Sequence, residues 1–151
     1  MLRRLLTLTA CLLPCCRVAP ASDDTGTGMA EQARWTNRLI VLSAPTVDDA
    51  DLLEQRNRLE AIRDELTERH LVLIQLTPSD ARFGDTPIGD DSVDALRARW
   101  SIAATTFQAA LIGKDGRVKD RWTQPFDPAE MTALIDTMPM RQDEMRHSGT
   151  D

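Results

Sequence analysis

Cysteine is confined to the first sixteen residues of this 151-residue chain: Cys11, Cys15 and Cys16 are the whole complement. A thiol active site in the body is thereby excluded, and so is a disulfide framework, because both need sulfur. Long apolar runs are missing too. Leu5 to Leu13 falls far short of the roughly 20 residues a bilayer-spanning helix needs, and no later segment does better. Histidine is limited to His70 and His147, too few and too far apart for a zinc site of ordinary composition. The aspartates of residues 80–91 do not follow the calcium-loop order, and no nucleophile-elbow Gly-x-Ser-x-Gly or dinucleotide glycine fingerprint occurs. No metal and no cofactor is expected.

The amino-terminal residues have the three zones of an export signal. Arg3 and Arg4 give a positive start, Leu5 to Leu13 an apolar middle, and Ala19-Pro20-Ala21 a small-x-small cleavage site before Ser22. Residues 1–21 are therefore expected to be a signal peptide, placing the protein in the periplasm or outside the cell. Leu8-Thr9-Ala10-Cys11 offers an alternative, a lipobox in which Cys11 would carry a lipid anchor. Cleavage at Ala21 removes three of the 18 basic residues (Arg3, Arg4 and Arg17) and none of the 24 acidic ones, so the net charge moves from −6 to −9. Such a surface repels phosphate backbones and anionic lipid, which argues against nucleic acid as a partner. The remaining ~130 residues suffice for one hydrophobic core and not for two.

What remains alternates between strand and helix patterns. Residues 22–33 are polar and glycine-bearing and predict a flexible linker. Arg38 to Ala44 is a continuous apolar run ended by Pro45, the pattern of a strand buried on both faces. A helix follows to about Arg69, with Leu52, Leu59, Ile62 and Leu66 on one stripe. Leu71 to Leu76 predicts a second strand, and Pro78 to Asp91 a long irregular stretch. A short helix over Ser92 to Trp100 precedes a strand over Phe107 to Ile112. The Asp115-Gly116 turn then returns the chain as a strand over Val118 to Trp122. Asp127-Pro128-Ala129-Glu130 carries the signals of a helix start, and Pro139 interrupts the helix that follows. Residues 147–151 are expected to be a disordered tail.

The order β-α-β-α-β-β-α gives two parallel strands through a right-handed crossover, then an antiparallel hairpin and a last helix. This is an α/β architecture, thioredoxin-like, with a mixed four-stranded sheet flanked by helices over residues 34–146. Within it the chain resembles an uncharacterised thioredoxin-like family of bacterial exported proteins, domain of unknown function 4174, related to domains of vertebrate secreted matrix and sushi-repeat proteins. The resemblance rests on Trp35 with Arg38, Ala44-Pro45, Gln55, Leu111 to Gly116 with Lys119, and Ile135 to Arg141. It implies the fold and an envelope or extracellular setting. It brings no catalytic residue with it.

Thioredoxin-like enzymes mount a cysteine where strand one meets helix one, because the helix amino terminus stabilises a thiolate. Here that junction reads Pro45-Thr46-Val47-Asp48-Asp49, and the usual proline before the third strand is absent from Ala104 to Phe107. Thiol exchange and peroxide reduction by the usual route are therefore not expected. Thr46 and Asp48 can serve as ligand contacts or as a helix cap. Gln55 falls on the buried stripe, where its amide must be paired, as a clamp or as a ligand contact. Lys114 lies in a hairpin turn without phosphate-loop spacing, and Arg141 can bind a partner or an acid of its own domain. The expectation is a non-catalytic binding or structural module of the envelope, with an unknown protein or small-molecule partner. The alternative is a cysteine-free enzyme using a groove around Thr46, Asp48 and Gln55.

Overall fold

The computed structural model describes residues 26–148. The expected signal segment over 1–21, the alternative anchor at Cys11, the start of the expected linker and the last three residues lie outside them.

The centre of the fold is β1 (Arg38–Ser43), every residue of which is buried. It pairs in parallel with β2 (Leu71–Leu76) on one side and antiparallel with β5 (Gln108–Ile112) on the other. β5 pairs antiparallel with β6 (Val118–Trp122), closing the hairpin whose turn uses Gly116 at φ 78°. Side chains alternate along β1 as a strand requires: Leu39 and Val41 enter one core, Ile40 and Leu42 the other. The first core is covered by α4 (Asp90–Trp100) through Val93, Leu96 and Trp100. The second is covered by α2 (Ala50–Glu60), α3 (Arg63–Glu68) and α5 (Pro128–Asp136) through Leu52, Leu59, Leu66, Met131 and Ile135. The connections leaving β1 and β2 thus go to opposite faces of the sheet.

Four sequence expectations are corrected. The sheet has six strands in the order β4-β3-β2-β1-β5-β6, not four. The additions, β3 (Arg82–Phe83) and β4 (Thr86–Pro87), lie in the stretch expected to be irregular, where Gly84 at φ 59° makes the turn and Phe83 is buried. Second, Gly26–Gln32 is a helix, α1, although its composition reads as linker. Tertiary packing overrides propensity there. Ala30 is buried against α4, the Gly26 N–H donates to Ser92 Oγ at 3.0 Å, and a Cβ on Gly26 would meet Leu96 Cδ1 at 3.0 Å. Third, the helix after β1 breaks at Ile62 (φ −116°, ψ 27°) into α2 and α3, which still bury Leu59 and Leu66 in one core. Fourth, the final helix α6 (Pro139–Ser148) includes His147, so helix extends into the expected tail.

Candidate functional site

The sequence candidates fall at two opposite ends of β1. At its carboxyl end, Thr46 and Asp48 are exposed, and neither side chain has a hydrogen-bond partner among the described residues. Asp49 does the capping: its Oδ1 accepts from Asp51 N and Leu52 N, both at 3.1 Å. Gln55 is fully buried on α2, and its Oε1 accepts from Phe126 N at 2.8 Å, clamping the segment before α5 to the helix. Its Nε2 is enclosed without a partner among the described residues. A cavity of about 490 Å³ opens between α2 and the start of α5, and one of about 660 Å³ between α2–α3 and the β3–β4 hairpin. Neither is lined by Thr46, Asp48 or Gln55.

A residue that sequence reasoning passed over shares that end. Arg97 of α4 is 8% exposed, and its Nε donates to Ser43 Oγ at 3.2 Å. Its Nη2 donates to Leu76 O at 2.9 Å and to Ala44 O at 3.4 Å, bridging the ends of β1 and β2. The signal was positional. Arg97 stands four residues after Val93 on the stripe that also holds Leu96 and Trp100, so its aliphatic stem had to enter the core.

At the amino end of β1 the structure brings Lys114 and Arg141 together. Both are almost fully enclosed, at 8% and 4% exposure, and both point toward Glu144 of α6. Lys114 Nζ lies 2.6 Å from Glu144 Oε1, and Arg38 of β1 forks onto the same carboxylate at 3.1 and 3.3 Å. Arg141 donates to Glu68 Oε1 at 2.5 Å and to Asp136 Oδ1 at 3.2 Å, while Arg69 grips Asp136 at 2.7 and 3.0 Å. Burial works against ionisation of Glu144, but the hydrogen bonds from Lys114 and Arg38 outweigh it and hold the carboxyl below the usual glutamate range. Asp136 is held low in the same way by Arg69 and Arg141 against its own burial. Lys114 and Arg141 therefore act on acids of their own domain, tying α6 and the β5–β6 turn to the base of the sheet.

Two left-handed residues border this network. Trp35 (φ 69°) donates its N–H to Lys114 O at 2.7 Å, and His70 (φ 51°) places Nδ1 3.3 Å from Lys114 Nζ. Trp35 is 60% exposed, with the Arg34 guanidinium 5.5 Å from its ring centroid. Left-handed backbone on a bulky non-glycine residue costs about 1–3 kcal/mol and persists only where its surroundings enforce it.

Comparison with other proteins agrees with this architecture. The family model described as Domain of unknown function (DUF4174) matches residues 29–144. The sushi repeat-containing protein SRPX2 of Homo sapiens is 25% identical over 126 residues, covering 81% of this chain and 27% of that protein. Coiled-coil domain-containing protein 80 of Danio rerio is 28% identical over 129 residues, covering 74% of this chain and 15% of that protein. The chain thus spans about a quarter or less of the length of these relatives. Among solved structures, thioredoxin peroxidase I of Plasmodium yoelii superposes with a TM-score of 0.57 at 14% identity, covering 79% of this chain and 85% of that one. A yeast mitochondrial 1-Cys peroxiredoxin gives 0.55 at 14% identity, over 76% and 69%. At such identities the likeness is one of fold: the domain is thioredoxin-like.

Proposed function

We propose, from the premise that this chain belongs to the DUF4174 family, that it is an exported recognition domain without thiol chemistry. It would contact a protein partner through the end of the sheet where Trp35 stands. The observation that carries this is Trp35 itself. It is large, exposed, held in a costly backbone conformation by Lys114 O, and braced underneath by the Arg38–Lys114–Glu144 network. A rigid aromatic with few rotamers makes a strong interface anchor, because little entropy is lost when it is covered. The three-zone pattern of residues 1–21, read as an export signal, supports an envelope or extracellular setting. The small share of the vertebrate relatives that the domain spans suits a module used alone or within longer chains.

The cysteine-free enzyme alternative would need Thr46, Asp48 and Gln55 in one accessible pocket. Gln55 is buried and engaged with Phe126, whereas the Thr46 hydroxyl bonds no base among the described residues, which weighs toward recognition. One experiment separates the two. A photo-crosslinking amino acid is placed at position 35 or at position 46, and the protein is irradiated in the cells that make it. A discrete adduct from position 35 alone is expected. An adduct from position 46 alone would move the functional end to the groove, and no adduct from either would reject a protein-binding role.

A further inference from the structure

We infer that the end of the sheet where β1 and β2 stop is a binding site for a small organic carboxylate, held by Arg97. The inference is independent of the proposed face at Trp35, which lies at the other end of β1.

Four cations of side chains that are nine-tenths or more buried can be compared directly. Arg38 and Lys114 share Glu144, and Arg141 has Glu68 and Asp136. Arg97, equally enclosed, has no carboxylate at all among the described residues; its partners are a hydroxyl and two backbone carbonyls. A buried charge without a counter-ion is costly, and a fold that pairs its other buried cations leaves this one open. Its third nitrogen, Nη1, bonds nothing among the described residues. It is not among the enclosed polar atoms without a partner, which are Arg38 Nε, Gln55 Nε2 and Trp100 Nε1, so solvent reaches it. The charge is held still by three bonds and offers the two N–H groups of Nη1 outward.

The location is the one where open α/β sheets bind ligands. β1 and β2 are parallel neighbours, so their carboxyl ends lie side by side, with Ala44 N–H donating to Leu76 O at 3.3 Å. The Arg97 guanidinium bridges the two ends, from Ala44 O to Leu76 O. The Ser43 hydroxyl, accepting from Arg97 Nε, donates to Ala103 O at 3.0 Å and ties the exposed 103–106 loop to the same end of the sheet. A guanidinium nitrogen suits a carboxylate or a phosphate oxygen equally. Charge decides between them: Asp48, Asp49 and Asp51 follow β1 within a few residues and penalise a multiply charged anion more than a single carboxylate.

The test is a nuclear magnetic resonance titration of the full chain with sodium acetate against sodium chloride at constant ionic strength. Arginine Nε–H resonances are followed together with the amides. Saturable shifts are expected at Arg97 Nε–H and at the amides of Ser43, Ala44, Thr46 and Ala103, with Arg97→Lys weakening acetate by about tenfold or more, since lysine keeps the charge but loses the planar guanidinium. Should the lysine variant fail to fold, the footprint on the unmodified chain decides. Unsaturable shifts, or shifts confined to exposed arginines such as Arg117, would overturn the site. Inorganic phosphate saturating the same footprint at lower concentration than acetate would overturn its assignment to carboxylates.

Discussion

Lys114 Nζ and Glu144 Oε1 lie 2.6 Å apart, and through that contact the β5–β6 turn holds the last helix against the base of the sheet. The two residues are not equal partners. Glu144 also receives both terminal nitrogens of Arg38, so removing the carboxylate strands two enclosed cations, whereas removing the lysine leaves Glu144 paired. Glu144→Gln is expected to cost about 3 kcal/mol and Lys114→Met about 1 kcal/mol. The double variant should cost less than the sum, because the residues share one network. Urea denaturation of the three variants checks this; equal losses from the two single variants would mean that the carboxylate is not the hub.

The same carboxylates make the fold acid-sensitive. Glu144 and Asp136 are held below their ordinary values of 4.5 and 3.8 despite partial burial, because cations donate to both. A depressed folded-state value means that the unfolded chain takes up protons first. The stability these groups contribute is therefore full above about pH 5 and is lost as pH falls through their lowered values. The urea midpoint should be level from pH 7 to 5 and drop below 4.5, and Glu144→Gln should flatten the drop. A drop of the same steepness in that variant would assign the acid sensitivity to other groups.

How far the sequence reveals this can be judged residue by residue. The apolar run of β1, the element order and the start of α5 were legible because each rests on local pattern or capping chemistry. The helix α1 was not: Gly26-Thr27-Gly28 reads as linker, and it is the close approach of Leu96, Ile88 and Ser92 that favours glycine at position 26. Strands β3 and β4 are two residues each, too short to show a period. Gln55 was identifiable as a buried amide from its place on the stripe of α2, but its partner, Phe126 N, is a long-range contact that no local pattern encodes. Glu144 sits in a run of charged residues with nothing local to mark it as the hub. Arg97 was masked by the habit of assigning arginines to the surface, although its stripe position carried the information.

The junction that would carry a nucleophile in a thiol enzyme of this fold offers a sharp comparison between adjacent acids. Asp49 accepts two backbone N–H groups at the start of α2, and Asp48, one residue earlier, is exposed and accepts none among the described residues. Asp49→Ala is expected to cost about 1 kcal/mol, the usual cost of a lost cap. Asp48→Ala should stay within about 0.5 kcal/mol, as surface substitutions do. Thermal denaturation of both variants at neutral pH is the measurement. Comparable losses would mean that Asp48 has a structural task of its own. A clear gain in stability for Asp48→Ala would mean that its charge is held at a cost in stability, the pattern of a site kept for binding, and would return attention to the groove beside Thr46.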